Sequence, residues 1–338
     1  MGRVTIYDIA EKLDLNYSTV SRVLNGHTHL YNEKTVERIL NTADQLGYRP
    51  NLIARSVKSG KTRIIGVIFN TGSGTFTSDL HMGIYEYLCA KDYLPISIRP
   101  TPTINVLEQV HKLLDFQFDG FIIWPAKTFP IDQFYEEVKK KRIPVVGVNN
   151  VISEEHFDFV GTDNEFGSRK LAEYLLDLGH RNFGILDYEE TKQSERIKTF
   201  CRIIDNTPGT YRQEVLINRR VESAEYNGAL KLLQSKPRPT ATFSHSYIPA
   251  CWIYRAASKL GLRIPEDISV TCFSGINFPE LITPSLTTVL LDPYGIGKEA
   301  ARMVLERIEK KVTDKELRKI LLKPELIIRE STGPVNSK

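Results

Sequence analysis

The 338-residue sequence predicts a small all-α unit at the N-terminus, followed by an α/β body made of two doubly wound lobes with parallel sheets. Two observations support this fold class. Apolar residues recur at helical spacing through residues 4–46, whereas from Arg63 onward short apolar runs typical of buried strands alternate with helical segments. The chain is also long for a single hydrophobic core, which favours more than one domain.

The first predicted helix follows Thr5, a residue suited to cap a helix N-terminus, and it places four apolar side chains at helical spacing over residues 6–13. The chain turns at residues 14–16, and a second short helix begins near Tyr17 with polar residues. This arrangement predicts a helix-turn-helix, in which the start of the second helix enters the major groove of DNA. An ordinary helical hairpin with a solvated polar face is the alternative.

The polar residues of this segment are the predicted DNA contacts. Those expected to point outward and read base edges are Asn16, Tyr17, Ser18 and Arg22. Those expected to fix the register on phosphates are Thr5, Ser21, Asn25 and His29. Tyr7 and Thr19 are included in the same predicted interface.

A third helix is predicted after the polar loop at residues 27–32, from Glu33 to about Leu46, with Gly47 as its C-cap. Its predicted apolar stripe consists of Val36, Ile39, Leu40, Ala43 and Leu46. Beyond Pro50, residues 52–58 form a very short predicted helix, which is too short to be stable in water without a packing partner.

The positive charge of the chain is concentrated in its first segment. Residues 1–63 contain ten Lys and Arg against six Asp and Glu, an excess that equals the net charge of +4 of the whole chain. A basic module attached to a neutral body is what binding to a polyanion such as DNA requires. A solvated basic face would give the same count.

Other sequence features argue against export, membrane insertion and metal binding. The N-terminus has no apolar signal region, and no run approaches the roughly 18 apolar residues of a membrane span, so we expect a cytoplasmic protein. The four cysteines lie far apart and are interpreted as reduced core residues. The histidines show no metal-ligand spacing, so we expect no metal and no cofactor.

The body is predicted element by element from alternating apolar runs and amphipathic segments. The predicted strands span residues 64–69, 95–98, 120–124, 144–148, 183–186, 214–217, 241–243, 269–272 and 287–289. The predicted helices span residues 78–91, 106–116, 134–141, 165–178, 195–205, 224–233, 250–260 and 296–309. This order predicts two parallel sheets with helices on both faces.

Two strings resemble nucleotide-binding motifs only in part. Gly72-Ser73-Gly74 lacks the third glycine of a dinucleotide fingerprint, because Thr77 stands there, and we interpret it as a cleft loop. Gly297-Lys298 is not a phosphate loop, because Asp292 and Glu299 occupy its defining positions. Asp163-Asn164 is interpreted as a helix cap at a crossover. We find no set of nucleophile, base and orienting residue.

The runs TIYDIAEKLDLNYSTVSRVLNG (residues 5–26) and LGYRPNLIARSVKSGKTRIIGV (residues 46–67) closely resemble the opening of lactose-repressor/galactose-repressor (LacI/GalR) transcription regulators. The resemblance continues more loosely through LGHR (178–181), RIPED (263–267) and PSLTTV (284–289). It implies a core like that of periplasmic sugar-binding proteins. The implied divisions are 1–50 for the helix-turn-helix headpiece, 51–62 for a hinge, 63–162 with 293–321 for one lobe, and 163–292 with 322–338 for the other.

The resemblance also implies a hinge helix that pairs with its copy in the minor groove of DNA and wedges an apolar side chain between base steps. The wedge is usually leucine and is Val57 here. The other implied hinge contacts are Asn51, Ala54, Arg55 and Lys58. A disordered linker without a role in DNA binding is the alternative.

The effector cleft is implied by the family and modified by this sequence. The cleft residues implied by the resemblance are Phe76, Asn149 and Arg196, with Ser274 at a position where the family often has an acid. Trp124 is added because it ends a predicted strand and could stack on a ligand, and an ordinary core role is its alternative. Where the family often has Phe-Asp-Asp, this chain has Phe273-Ser274-Gly275, and Ser246-Tyr247 replaces a common Asn-Asp. The ligand is therefore not a plain monosaccharide, or effector control is weakened. We favour a different small polar ligand.

The predicted function is a sequence-specific, DNA-binding transcription regulator, specifically a repressor, which acts as a homodimer on double-stranded operator DNA. A small-molecule effector, sugar-like or otherwise polar, would bind between the two lobes and control DNA binding. The alternatives are a soluble sugar-binding receptor and an α/β enzyme, either of which would carry a vestigial headpiece.

Overall fold

The computed structural model describes residues 4–49, 61–69, 75–98, 106–115, 117–124, 129–149, 156–218, 221, 223–274, 280–310 and 316–335. The chain separates into two compact units, Met1–Arg63 and Ile64–Lys338. None of the helices in the described ranges combines the length and apolar character needed to cross a lipid bilayer.

The described residues of the N-terminal unit form three α-helices, α1 (Ile6–Leu13), α2 (Tyr17–Leu24) and α3 (Glu33–Gln45), and a 3₁₀ turn at Thr28–Leu30. Each helix contributes to one small core, whose buried members are Ile9, Ala10, Val20, Val23, Ile39 and Ala43. One predicted core residue is wrong. Leu40 is 47% exposed, because the face of α3 that packs inward passes through Ile39 and Ala43 and leaves residue 40 on the flank.

The body contains twelve strands and eight helices among its described residues. The strands are β1 (Ile64–Phe69), β2 (Leu94–Ile98), β3 (Gly120–Trp124), β4 (Val145–Val148), β5 (Asp158–Thr162), β6 (Asn182–Tyr188), β7 (Tyr211–Ile217), β8 (Ala241–Ser244), β9 (Ser269–Phe273), β10 (Thr287–Leu290), β11 (Lys319–Leu322) and β12 (Glu325–Ile327). The helices are α4 (Thr75–Cys89), α5 (Val106–Asp115), α6 (Ile131–Lys140), α7 (Asn164–Asp177), α8 (Glu195–Asp205), α9 (Ala224–Gln234), α10 (Tyr247–Lys259) and α11 (Pro293–Ile308).

The strands form two six-stranded sheets. The first has the order β11-β5-β4-β3-β1-β2 and the second the order β12-β10-β9-β8-β6-β7. All pairings are parallel except that of β12, which runs antiparallel to β10 at the edge of the second sheet. The doubly wound arrangement places the strand ends, where ligands gather in such folds, along one side of each sheet.

Three strands were not predicted from the apolar pattern. β5 begins with the buried acid Asp158, and its Gly161 is too small to contribute to an apolar run. β11 has only four residues, and the three of β12 are exposed or half-buried. In each case the strand exists because a neighbouring strand pairs with it, and this information is not local to the segment.

Helices cover both faces of each sheet, so the body has four apolar clusters. In the first sheet, α4 and α11 pack on one face, and Phe118, Phe121 and Phe134 fill the other. In the second sheet, α7 and α8 pack on one face and α9 and α10 on the other. The two helices α4 and α11 meet through glycines, since a Cβ on Gly83 would collide with the Tyr294 carbonyl oxygen and one on Gly297 with the Leu80 carbonyl oxygen.

The cysteines are all free, but they are not all core residues as predicted. Cys272 is buried, Cys201 and Cys251 are half-buried, and Cys89 is exposed at the end of α4. Exposure of Cys89 follows from its position, because α4 turns this last residue away from the sheet that its earlier turns cover.

Candidate functional site

The first helix of the N-terminal unit begins at a capping box. The Thr5 backbone nitrogen donates to Asp8 Oδ2 at 2.7 Å, and Thr5 Oγ1 accepts from the Asp8 backbone nitrogen at 3.4 Å. Thr5 Oγ1 also donates to Asp8 Oδ2 at 2.9 Å, and the two hydrogen bonds that the carboxylate accepts from Thr5 hold the pKa of Asp8 below its usual value. The predicted cap at Thr5 is therefore confirmed. Its hydroxyl is engaged with Asp8, while the residue itself stays exposed.

The second helix starts at Asn16, whose Oδ1 accepts from the Ser18 backbone nitrogen at 2.9 Å and from Ser18 Oγ at 2.8 Å. The turn before it is closed by Asp14 in the left-handed conformation, with φ of 53°. Tyr7 and Tyr17 stack with ring centroids 4.5 Å apart and remain 66% and 42% exposed. This aromatic pair joins the two helices and presents two phenol groups on the outer surface.

The structure exposes most of the side chains predicted to contact DNA. The exposed residues are Thr5, Tyr7, Asn16, Tyr17, Ser18, Arg22, Asn25 and His29, and Thr19 is half-buried. Ser21 differs, because it is buried in the core-facing side of α2 and its backbone oxygen accepts from Asn25 Nδ2 at 2.6 Å. Burial does not favour the predicted phosphate contact of Ser21 and assigns its side chain to packing.

The predicted hinge contacts Asn51, Ala54, Arg55, Val57 and Lys58 lie outside the described residues, as do the Gly72-Ser73-Gly74 loop and Gly275. The remaining predicted residues of the body can be placed, and they lie near the ends of strands or the starts of helices.

Two predicted cleft aromatics meet in the body. The rings of Phe76 and Trp124 contact edge to face with centroids 5.4 Å apart, and Trp124 also contacts Phe69 at 6.3 Å. Phe76 packs against the core of the first sheet and also against that of the second, whereas Trp124 packs against the first core only. Both rings are partly buried, so Phe76 connects the two sheets beside the position where Trp124 ends β3.

Asn149 and Ser274 each follow a strand in the left-handed backbone conformation, with φ of 55° and 64°. The Asn149 backbone nitrogen donates to the Val160 carbonyl oxygen at 3.0 Å, and that of Ser274 donates to the Val289 carbonyl oxygen at 2.9 Å. Such conformations are uncommon for residues other than glycine and are concentrated at functional sites. The left-handed conformation ends the regular strand at each of these two residues, which lie at the carboxyl ends of β4 and β9.

Arg196 lies in the first turn of α8 and is the most constrained of the predicted cleft residues. Its Nε donates to Asn164 Oδ1 at 2.8 Å, its Nη1 donates to the His245 carbonyl oxygen at 3.2 Å, and its guanidinium lies over the Phe273 ring at 4.3 Å. Burial lowers the pKa of Arg196 to about 10, and the neighbouring Asp187 carboxylate opposes that shift. The guanidinium is therefore cationic at neutral pH.

Sequence reasoning missed two polar residues beside Arg196. Asp187 lies in β6 and is fully buried, and His245 directly follows β8 with Nδ1 only 2.5 Å from Asp187 Oδ1. The signal available in the sequence was an acid inside the apolar run of β6 and a histidine just after the apolar strand β8. Their meeting depends on the strand order, which the sequence pattern does not provide.

Other polar residues have structural roles. Asp163 caps α7 by accepting from the Phe166 backbone nitrogen at 2.9 Å, as predicted. His180 is buried between Thr240, Ser269 and the Gly333 carbonyl oxygen, and burial lowers its pKa to about 4. Within the ranges that the structure describes, no group of three or more His, Cys, Asp or Glu residues could hold a metal ion.

Two family models match the chain. The model described as bacterial regulatory proteins, lacI family, matches residues 5–51, which include the exposed start of α2. The model described as a periplasmic binding protein-like domain matches residues 172–332. The chain belongs to the lacI family of bacterial regulatory proteins.

Relatives of similar length carry both parts. The chain is 28% identical to catabolite control protein A of Priestia megaterium over 97% of its own length and 99% of that protein. It is 29% identical to the transcriptional repressor PurR of Vibrio vulnificus strain CMCP6, over 98% of the chain and 99% of the repressor. This LacI-family chain is therefore a DNA-binding transcription regulator, and the receptor and enzyme alternatives are not favoured.

Solved structures of the family share the fold. A LacI-family regulator from Enterococcus faecium with bound ribose matches with a TM-score of 0.69 and 27% identity, covering 81% of this chain and 100% of that one. The lac repressor dimer bound to operator and the anti-inducer ONPF matches with a TM-score of 0.79 and 23% identity, covering 98% and 100%. The predicted combination of a helix-turn-helix headpiece with a periplasmic-binding-protein-like core is confirmed.

Proposed function

We propose that this LacI-family regulator is a repressor that binds a two-fold symmetric operator as a homodimer. The observation that carries this proposal is the outer surface at the start of α2, where Asn16, Tyr17, Ser18 and Arg22 are exposed on the side opposite the small core. A single headpiece of this size buries little DNA surface, so two half-sites related by symmetry are needed for specificity. Because its target is operator DNA, the protein would act in the cytoplasm.

The side chains at this surface would divide between base reading and phosphate contact. Arg22 offers a bidentate donor suited to guanine, whereas Ser18 and the free amide of Asn16 suit mixed donor and acceptor edges. Thr5, Asn25 and His29 would fix the register on phosphates. The stacked pair Tyr7 and Tyr17 would stiffen the junction of the two helices and place its hydroxyls beside the backbone of DNA.

The control unit would be the two-lobed body, and we propose the divisions 1–50, 51–62, 63–162 with 293–321, and 163–292 with 322–338. A small polar effector would bind between the lobes near Phe76, Trp124, Asn149, Arg196 and Ser274. The ribose bound by the Enterococcus faecium relative supports a polar ligand of that size. Lobe closure would change the spacing of the hinges, where Val57 is the proposed wedge. In this reading, the protein is a regulator and not an enzyme.

The homodimer would form through an apolar surface on the first sheet. Met82 and Tyr85 of α4 and Leu94 and Ile96 of the edge strand β2 are each between 38% and 54% exposed. Met82 and Tyr85 line a groove of about 330 Å³ together with His81 and Pro95, whereas Leu94 and Ile96 alternate with Pro95 along β2 and lie on the other face of this edge strand. An exposed edge strand with apolar side chains needs a cover, and a second copy of this chain is the cover that a two-fold operator requires.

Ile96→Asp should convert the dimer into a monomer, because it places a charge on the exposed apolar edge strand β2 that the second copy would cover. Light scattering coupled to size-exclusion chromatography measures the mass directly. Tyr211→Asp is a matched control, because Tyr211 is 51% exposed on the edge of the other sheet. A dimer that persists in the Ile96 variant would place the interface elsewhere.

Arg22→Ala tests DNA recognition by α2. We expect specific operator affinity to fall by about 1–3 kcal/mol, while affinity for random DNA changes little. Fluorescence anisotropy with the upstream region of the protein's own gene and with a scrambled duplex measures both. Arg38→Ala is the control, since Arg38 is also exposed but lies on α3. Equal losses on the two duplexes would make Arg22 a phosphate contact, and no loss would remove α2 from recognition.

A further inference from the structure

The carboxyl end of the second sheet holds a charged pair that the family resemblance did not indicate. β6 and β8 are neighbours, and their register pairs Ile185 with Phe243. Two residues farther along, on the same face, the same register brings Asp187 opposite His245. His245 Nδ1 lies 2.5 Å from Asp187 Oδ1, so the two side chains form an ion pair whenever the imidazole is protonated.

Arg196 stands next to this pair and is held on one edge only. Its Nε donates to Asn164 Oδ1 and its Nη1 to the backbone oxygen of His245, and its flat face covers Phe273. Among the described residues, Nη2 has no hydrogen-bond partner. The guanidinium thus keeps one donor nitrogen for a ligand, in a side chain whose Nη1 already contacts the backbone of His245.

The simpler interpretation is that this polar cluster only covers the end of the apolar core. That interpretation does not explain why some of its buried polar atoms have no hydrogen-bond partner among the described residues. Asp187 Oδ1 accepts from Thr191 Oγ1 at 2.9 Å, whereas the buried Asp187 Oδ2 has no partner within the part of the chain that the structure describes. Ser244 Oγ, at the end of β8, is also buried without one. Buried polar atoms in folded proteins are nearly always paired, and unpaired ones mark sites of binding or rearrangement.

The exposure of the three side chains determines which of their charged groups a ligand can contact. The Asp187 side chain is fully buried, whereas 15% of the His245 side-chain surface is exposed and Arg196 is half-buried. Since Nδ1 of His245 is buried against Asp187, the exposed edge of the ring is the one that carries Nε2. The neighbouring strand ends in Ser274, which is neutral. The side chains that a ligand can reach are thus those of Arg196, His245 and Ser274, whereas the Asp187 carboxylate lies buried beneath His245.

We propose that Arg196 and His245 form an oxyanion-binding subsite, with Asp187 as a positioning residue, and that the effector carries a carboxylate or a phosphate. This inference deepens the proposed function and rests on it. When the His245 imidazole is protonated, Nδ1 faces the Asp187 carboxylate and Nε2 can donate to the same oxyanion as Arg196 Nη2. The positive charges of Arg196 and the protonated His245 then exceed the negative charge of Asp187 by one, and a neutral ligand would leave that charge unmatched.

The test uses the full-length protein and simple probes, so that it does not depend on knowing the effector. Ring ¹⁵N resonances of His245 and side-chain resonances of Arg196 are followed during titration with inorganic phosphate, with acetate and with glycerol, at constant ionic strength. We expect saturable shifts with at least one anion and none with glycerol. Phosphate alone or acetate alone would identify the acidic group. No response to either anion, or an equal response to glycerol, overturns the proposal.

Variants separate the roles. His245→Gln and Arg196→Lys should each weaken anion binding by about tenfold, because each removes one charged or bidentate donor. The control is His111→Gln, since His111 is exposed on α5 of the other sheet. Thermal unfolding and operator binding are measured for each variant. Unchanged anion binding in both variants, with operator binding retained, would contradict this inference alone, whereas a lack of operator specificity in the wild type would contradict the proposed function.

Asp187→Asn tests the positioning role with a readout that simple packing would not change. In the wild type with the anion bound, the ¹⁵N shifts should show a proton on both ring nitrogens of His245. In the variant, we expect a smaller protonated fraction at the same pH and anion affinity reduced by about tenfold, because the carboxylate that faces Nδ1 is gone. An unchanged protonated fraction together with unchanged affinity would restrict Asp187 to packing and remove it from the subsite.

Discussion

At the scale of single residues, the same type of side chain has a binding role at one position and a structural role at another, and its surroundings determine the role. His245 keeps one edge open beside Arg196, whereas His180 has both ring nitrogens engaged by Thr240, Ser269 and the Gly333 carbonyl oxygen. His180 is therefore a structural histidine that joins the C-terminal segment to the second sheet. Its motif, LGHR, looked equally polar in the sequence, and only the structure distinguishes the two environments.

His180 should make stability depend on pH. Burial lowers its pKa from 6.5 to about 4, so the unfolded chain binds its proton first as the pH falls. The contribution of His180 to the free energy of unfolding is fully present above pH about 6.5. It is lost progressively toward pH about 4, and the loss amounts to about 3 kcal/mol. Urea unfolding of the wild type and of His180→Gln at several pH values tests this. The stability difference between them should shrink as the pH falls, and a constant difference would contradict the assignment.

At the scale of elements, the local sequence pattern predicted the regular helices well. It failed for segments whose structure depends on residues far away in the chain. Helix α8 has the predicted bounds, Glu195–Asp205, whereas α11 begins three residues before its predicted start, because Asp292 caps it and Pro293 fits the first turn. The strand β5 was missed because its first residue is an acid. That acid is tolerated only because two arginines from far along the chain surround it.

The site followed the same rule. Phe76, Asn149, Arg196 and Ser274 were predicted from the family resemblance and Trp124 from its position at a strand end, and each of the five lies at or next to the end or start of an element. The pairing of residues 187 and 245 could not be predicted, because it requires knowing that β6 and β8 are adjacent and in which register. The exposure of Leu40 was missed for a related reason, since which flank of a helix is covered depends on its neighbours.

Asp158 should be a major stabilising residue of the first sheet. Its carboxylate is 2% exposed and accepts from Arg307 of α11 at 2.8 Å and from Arg318, just before β11, at 2.9 Å. We expect Asp158→Asn to lower the free energy of unfolding by about 3–5 kcal/mol, because it leaves the buried Arg307 guanidinium without its counter-charge and leaves Arg318 with Glu306 alone. Chemical denaturation measures the change.

Glu165→Gln is the matched comparison for that variant. Glu165 pairs with Arg169 and Arg202, but all three side chains are about half exposed, so the loss should stay below about 1 kcal/mol. Similar losses of unfolding free energy for Asp158→Asn and Glu165→Gln would show that burial does not determine how strongly the Asp158 ion pairs stabilise the fold.

At the scale of the whole molecule, charge and apolar surface are divided between the two units. The excess of positive charge lies in residues 1–63, and the body is neutral in sum. Salt should therefore weaken DNA binding without weakening the body. We expect operator affinity to fall by about 10³-fold or more between about 50 and 200 mM salt, as for proteins that make several phosphate contacts.

Anisotropy titrations over this salt range measure the slope of affinity, and thermal unfolding of the same samples serves as the control. The melting temperature of the body should change little, because its apolar clusters do not respond to screening in this range. An affinity independent of salt would contradict a phosphate-anchored mode of binding.

The chain passes between the two sheets three times, since β1–β5 belong to the first, β6–β10 to the second, β11 to the first again and β12 to the second. During synthesis, the face of the first sheet that α11 covers stays bare until residues 293–308 leave the ribosome, long after β1–β5 have emerged. Gly83 and Gly297 then let the late helix lie directly on α4. Nascent chains that stop before this helix should recruit chaperones, and those that include it should not.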